Sequence, residues 1–355
     1  MSSLAERMLK LNKNSNATIA SKSELMNNRT EAIDVKVPML NLALGGDCRK
    51  GLVPGIVALT GQSKSFKTSF AFKIASEYLK ADKEAICIFY DCEFGSRETT
   101  MKMFDVDTDR VIHIPFTNLE ELSFDIMPRL EEIKRGDKVI FLVDSIGNAP
   151  SKKELDNALD GNSAQDMQRA KYLKSLFRMI TPQITMKGLC FIGINHTYNT
   201  MDMFSKQVVS GGSGLIYSAN SIFIITRSQN KNSKGELEGY NFTINIEKSR
   251  DVREGSKIPI TVKFDSSIEK YSGILSLAIE LGYVNQEGRS HIKTHLGETS
   301  KVCLKNLSEE EREEWFEELV TNTDLYDAIN AKYSLIQKPL YNDTEQDSKT
   351  EEEEK

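Results

Sequence analysis

Disulfide-type cysteine spacing, long apolar runs and a surplus of positive charge are all missing from this 355-residue chain. The five cysteines (Cys48, Cys87, Cys92, Cys190, Cys303) show no metal-ligand pairing. That argues against a disulfide scaffold or zinc module and for reduced, mostly buried thiols. No segment is long enough to span a membrane and no apolar signal region opens the sequence, so a soluble, cytoplasmic protein without a membrane partner is expected. No internal repeat is present. The net charge of −6, from 46 basic and 52 acidic residues, does not advertise nucleic acid. Glu351 to Glu354 supply four of those acids, and a local basic surface is compatible with an acidic total.

What the chain has is alternation. Strand-type runs at Ile56–Thr60, Ala85–Asp91, Val111–Ile114, Val139–Asp144, Leu189–Asn195 and Ser221–Thr226 are separated by helical segments at Ser69–Lys80, Arg97–Phe104, Leu119–Arg135 and Ala164–Ile180. Continuous apolar strands between helices predict an α/β fold with a mostly parallel sheet covered on both faces. Tyr240–Glu247 and Ile258–Phe264 follow without a helix and predict an antiparallel extension. The expected organisation is a helical arm over 1–32, a core over 33–270, a small helical region over 271–341 and a disordered acidic tail over 342–355. In the arm, Leu4, Met8, Leu9 and Leu11 mark one short amphipathic helix, and Ser21 to about Asn28 a second, weaker one. Such a helix packs on another surface or frays. In the helical region, Ser308 and Glu311 form a capping box for a helix through Leu319.

The chemistry gathers at strand ends. After Ile56–Thr60 comes Gly61-Gln62-Ser63-Lys64-Ser65-Phe66-Lys67-Thr68-Ser69, a strand, a phosphate-type loop and a helix start. Its backbone N–H groups would cradle a polyphosphate, Lys67 would reach the β/γ oxygens and Thr68 would take one Mg²⁺ position. Phe66 occupies a place usually held by glycine, and an ordinary strand–turn–helix with a surface lysine is the plain alternative. Asp144 ends an apolar strand where a Mg²⁺-supporting carboxylate would sit. Glu93, past another strand end, could activate a water or be a solvated loop acid. Asn195 and His196 close a third strand and suit sensing a terminal phosphate. Tyr198 to Ser213 shows no clear element and carries Met201, Met203, Phe204, Lys206, Gly211 and Gly212, a composition suited to wedging between bases of single-stranded nucleic acid. A second candidate segment, 151–165, carries Lys152 and Lys153 and leads to Arg169. His291 and His295, four apart, could clasp a metal on a helix, but no acid or cysteine accompanies them, so surface residues are expected.

These motifs in this order, with Tyr90-Asp91-Cys92-Glu93-Phe94-Gly95, Val143-Asp144-Ser145, Asn195-His196-Thr197-Tyr198 and Glu247-Lys248-Ser249-Arg250, resemble the RecA family of strand-exchange recombinases over about residues 30 to 285. The branch carried by T-even bacteriophages, which also writes Phe in the phosphate loop, is the most similar. The resemblance implies a RecA-like ATPase core that takes ATP and Mg²⁺ and forms helical filaments on single-stranded DNA. It implies that the filament pairs that strand with a duplex in the host cytoplasm, with a single-strand-binding protein and a loading mediator as partners. It gives Lys67, Thr68 and Asp144 the phosphates and metal, Glu93 the attacking water, and Asn195 and His196 the γ-phosphate sensor. Lys248 and Arg250 would reach the nucleotide of a neighbouring subunit, and residues 151–165 and 197–213 would be the DNA loops. Thr100 stands where relatives stack an aromatic on adenine, so Arg97 or Tyr271 is expected there instead, and an arm-docking residue is expected near Ile19. A ring-forming replicative helicase on the same fold, or an ATP-switched mediator, is the alternative reading.

Overall fold

The computed structural model describes residues 3–11, 13–14, 16–26, 31–160, 169–199, 207–210, 213–231, 234–264 and 268–335. Its centre is a sheet of β1 (Gly55–Gly61), β2 (Ile86–Asp91), β3 (Val111–Pro115), β4 (Val139–Asp144), β5 (Cys190–Asn199), β6 (Gln207–Val209), β7 (Ser221–Lys231), β8 (Leu237–Lys248) and β9 (Lys257–Lys263). The spatial order is β3-β2-β4-β5-β1-β7-β8-β9, with β6 paired to β5. Along that order from β3 to β7 every pairing is parallel, whereas β6, β8 and β9 pair antiparallel. The interior parallel strands read as continuous apolar runs because they are covered on both faces, whereas the edge strand β3 has no buried residue. β1 and β4 are buried throughout.

Each face closes its own core. One holds Val57 and Leu59 of β1 against Phe70 and Ile74 of α3 (Lys67–Ala81). The other holds Ile56 and Ala58 against Leu122 and Ile126 of α5 (Leu119–Glu132) and Phe177 and Ile180 of α7 (Arg169–Lys187). Because successive residues of β1 serve opposite cores, its whole length is apolar.

Several features depart from the periodicity. The buried helix α2 (Pro38–Gly45) lacks an amphipathic stripe because all eight of its residues are buried. It starts with Pro at a first-turn position and stops at Gly46, which is left-handed (φ 75°) and so close to the Asp251 carbonyl that a Cβ would lie 2.8 Å from it. Among the described residues of the weaker arm helix, which end at Met26, the one helical element is a 3₁₀ turn, Ala20–Lys22. The segment after Asn195 is no structureless loop. β5 continues to Asn199 and β6 pairs antiparallel with it, Thr197 opposite Val209, so residues 197–199 and 207–209 form a two-stranded ladder. Lys152–Leu159 is a helix, α6, capped by Ser151 and Glu154. His291 and His295 do not share a helix: His291 lies in β11 (Ser290–Lys293), paired with β10 (Val284–Glu287), and His295 in a 3₁₀ turn stacked on Tyr283. His291 is buried rather than a surface residue. No group of metal-ligating residues occurs among the described residues, and no described helix is long and apolar enough to cross a membrane.

The C-terminal helices, α9 (Ile274–Glu280), α10 (Glu309–Thr321) and α11 (Leu325–Tyr333), do not build a separate core. Leu277, Trp315, Leu319 and Ile329 belong to the cluster that includes α3. Leu319→Ala is expected to cost about 2–5 kcal/mol. It should lower a single cooperative transition, measured by thermal melting, rather than create an early one confined to the C-terminal helices.

Candidate active site

The site lies beyond the carboxyl ends of the parallel strands, where open α/β sheets bind ligands. β1 leads into the phosphate-type loop, and two of its residues without glycine's freedom take left-handed backbone: Lys64 (φ 63°) and Phe66 (φ 67°), which is the N-cap of α3. Each such residue costs about 1–2 kcal/mol. Phe66 is held there by its ring, stacked on Phe242 of β8 at 5.1 Å and edge-on to Phe70 and Phe104 at 5.3 and 5.8 Å. Gly61 cannot be replaced so readily, since a Cβ there would meet the Ile225 carbonyl at 2.5 Å.

Lys67 is buried and its ammonium donates to the carbonyls of Gly61 and Gln62 at 3.1 and 2.9 Å and to Ser65 Oγ at 3.3 Å. Burial lowers its pKa, with Asp144 and Glu93 opposing. Thr68 Oγ1 donates to Asp144 Oδ2 at 2.7 Å. The other oxygen, Asp144 Oδ1, is buried with no hydrogen-bond partner. Burial, reinforced by Glu93 and Asp91, pushes the Asp144 carboxyl up to about 6 despite the Thr68 bond. A buried carboxylate oxygen without a partner, beside a hydroxyl and below a loop of N–H groups, fits a divalent cation.

Glu93 follows β2 on a turn that Asp91 makes. Asp91 Oδ1 accepts the N–H groups of Glu93 and Phe94 at 3.0 and 2.8 Å. Glu93 Oε1 is met by His196 Nε2 at 2.8 Å and accepts from Asn148 Nδ2 at 2.8 Å. The His196 bond holds the Glu93 carboxyl below the usual range, against the opposing effect of burial. His196 comes from β5, beyond β4, so the contact closes over the strand that ends in Asp144.

A cleft of about 760 Å³ runs from this cluster along the loop, lined by Ser63 to Ser69, Glu93, Asp144 and His196. Its far end is aromatic and cationic: Met103, Arg227, Tyr240 and Phe264, with Arg227 over the Tyr240 ring at 4.6 Å. Thr100 lines it too.

Other expected residues lie elsewhere. Tyr271 does not line this cleft. It is buried, stacked on Phe316 at 5.0 Å and bonded to Glu317, facing a different hollow. Asn195 is fully buried and spent on backbone, donating to Ser210 O at 2.7 Å and accepting from His196 N at 2.8 Å, so it joins the site to the β5–β6 hairpin rather than entering the cleft. Arg169 donates to the carbonyls of Gly147 and Ala149 at 2.8 and 3.0 Å and so orders the segment after β4. Lys152 and Lys153 are exposed on α6. Lys248 donates to the Ile216 carbonyl at 2.7 Å, and Arg250 is exposed. Through Ile222, Lys248 lies level with Ala58, and neither basic residue lines the cleft of its own chain. Met201, Met203, Phe204, Lys206, Gly211 and Gly212 lie outside the described residues. Sequence reasoning missed Asp91, Asn148, Arg227, Tyr240 and Phe264. An acid at a strand end before a turn was a legible signal for Asp91.

A mostly parallel sheet with a phosphate-type loop after its central strand and acids at neighbouring strand ends is the fold of the RecA-like α/β proteins. No family model matches the chain, but curated relatives do. The recombination and repair protein of Enterobacteria phage T4 is 44% identical over 284 residues, 80% of this chain and 72% of that protein. The RecA proteins of Geobacter sulfurreducens (24% over 278 residues, 76% of this chain and 79% of that protein) and Mycoplasma mycoides (22% over 288 residues, 79% and 81%) are more distant. The chain belongs to the RecA family of recombinases.

Two outcomes follow from the geometry. Since burial raises the Asp144 carboxyl from 3.8 to about 6, its contribution to stability is present below about pH 4 and lost as pH rises through about 6. In EDTA, Asp144→Asn should therefore gain about 1–3 kcal/mol relative to the parent between pH 4.5 and 7.5 by urea unfolding. An equal difference at both values would refute the raised carboxyl. Phe66→Gly relieves the strained backbone while Phe66→Ala keeps it, and both lose the ring contacts. Thermal melting should rank the parent above Phe66→Gly and that above Phe66→Ala, the latter two separated by about 1 kcal/mol.

Proposed function

We propose that the chain is an ATP hydrolase, stimulated by DNA, that polymerises on single-stranded DNA and pairs that strand with homologous duplex. The observation that carries the reading is the Glu93–His196 contact beside Lys67, Thr68 and Asp144, all lining one cleft. Thr68 and Asp144 would hold Mg²⁺, which neutralises phosphate charge when bound. The loop N–H groups and Lys67 bind the triphosphate, and Arg227, Tyr240 and Phe264 face its base end. The His196 bond holds the Glu93 carboxyl below its usual range and so favours its ionised form. A carboxylate held in that form orients the attacking water more than it takes its proton.

Lys248 and Arg250 then act on the nucleotide of a neighbouring copy, because their own cleft does not contain them. Two cations contributed across an interface stabilise the transferring phosphate and hold subunits together while the triphosphate is intact. The arm supports assembly: Leu4, Met8 and Leu11 of α1 (Leu4–Lys10) and its C-cap are 62%, 54% and 74% exposed, and no residue of the helix is buried. An apolar face left open suits packing on a second copy. The DNA loops are 151–165 and 197–213. Lys152 and Lys153 contact phosphates, and Met201, Met203, Phe204 and Lys206, with Gly211 and Gly212, contact the strand without reading its bases.

The deciding experiment is phosphate release with and without single-stranded DNA, with the same samples imaged by electron microscopy. The parent should be stimulated by DNA and form helical filaments. Lys67→Ala should lose turnover, and Glu93→Gln should keep nucleotide and DNA binding while turnover falls at least about 100-fold. Closed rings, or turnover indifferent to DNA, would overturn the proposal.

A further inference from the structure

We infer that Asp91 is the positioning residue that aims Glu93, with His113 on the neighbouring strand steadying it. The inference rests on Glu93 handling the attacking water as proposed above.

Asp91 is 2% exposed, at the last position of β2. Burying a carboxylate is costly unless its oxygens are satisfied, and here one accepts two hydrogen bonds while the other faces an imidazole. Oδ1 receives two convergent backbone donors, the N–H groups of Glu93 and Phe94. Oδ2 lies 3.5 Å from His113 Nε2. The two backbone N–H bonds to the Asp91 carboxylate are charge-assisted, about twice as strong as neutral ones, and fix direction. They hold a turn in which Phe94 takes a left-handed backbone (φ 53°), a conformation a bulky residue adopts only under constraint. The Glu93 side chain leaves the chain at this turn and meets His196 and Asn148. Asp91 itself does not line the cleft, so any effect on chemistry passes through Glu93.

His113 belongs to β3, at the edge of the sheet. Its ring stacks on Phe89 at 5.5 Å, which places the imidazole over the end of β2. A second tether fixes the same turn: Cys92 N donates to Asp144 O at 2.8 Å. The turn therefore hangs between β3 and β4, with Asp91 as the only side chain among the described contacts that grips the Glu93 backbone.

The test is a double-mutant cycle on DNA-stimulated ATP turnover by the full chain, with ATP as the probe and melting temperature and nucleotide-analogue affinity as controls. Asp91→Ala should lower kcat about 30–100-fold, the scale expected when a reacting group is misplaced by about 1 Å, with KM changed less than about twofold. Asp91→Asn, which keeps one acceptor oxygen, should lose only about 3–10-fold, and His113→Ala about as little. In the Glu93→Gln background, Asp91→Ala should cost nothing further, because its effect has no other route. A loss that multiplies in that background would mean a general structural role and would sink the inference, as would an unchanged kcat. Should Asp91→Ala not fold, the cycle with Asp91→Asn decides on the same criteria. Normal turnover in Glu93→Gln would instead overturn the function assigned to Glu93, which separates that failure from this one.

Discussion

Negative charge is crowded at the mouth of this sheet, and the Glu93–His196 bond is what makes the crowding workable. Asp91 and Asp144 stand opposite one another at the ends of β2 and β4, and Glu93 follows two residues later. Lys67 is the one lysine or arginine buried among them. His196 draws Glu93 toward β5 and outweighs its desolvation, whereas burial raises Asp144 despite its Thr68 bond. The asymmetry separates two carboxyls by role: one acidic and oriented, one raised and suited to a metal. Environment alone can assign such roles to identical groups.

The same bond ties the site to the surface expected to meet DNA. His196 N binds the Asn195 side chain, whose amide reaches Ser210 at the base of the β5–β6 hairpin. Three consecutive contacts thus join Glu93 to the segment that carries Met203 and Phe204. A change at the nucleotide that moved His196 would have to move Asn195 or break its bonds, and a buried amide stripped of partners costs about 1–3 kcal/mol. That is enough to couple two sites by roughly one to two orders of magnitude, without any wider rearrangement.

The interior parallel strands were legible because double burial writes itself as unbroken apolar runs. Acids at their ends stood out against those runs, and so Lys67, Thr68, Glu93, Asp144 and His196 could be named before any contact was known. What sequence hid depends on partners distant in the chain. Tyr271 has the composition of a base-stacking residue, but Phe316 and Glu317 claim it. Asn195 looks like its neighbour His196, yet alternation along a strand sends the two side chains to opposite faces, and one is sealed while the other enters the cleft. Arg169 reads as a surface cation until the carbonyls after β4 appear. α2 escaped because a helix buried all round has no stripe to detect. The family resemblance supplied the order of motifs; it did not supply Asp91, whose role is visible only as two backbone bonds.

Phe66 shows how a departure from a motif can be absorbed. A glycine in that position would leave the loop free to sample many conformations, and the side chain instead pins it against β8. The anchor is β8 of the antiparallel extension, which also supplies Tyr240 to the far end of the cleft, beside Arg227 from the neighbouring β7. The phosphate-type loop and the aromatic wall of the cleft are therefore one mechanical unit, held by Phe242. Lys248 ends β8 on the far side of that unit. Any load placed on it by a neighbouring copy would run along a single strand toward Phe242 and hence to the loop. Were Lys248 to meet a neighbouring copy as proposed, that contact and the wall of the cleft would share one strand, a short route that needs no part of the chain beyond what the sheet already holds.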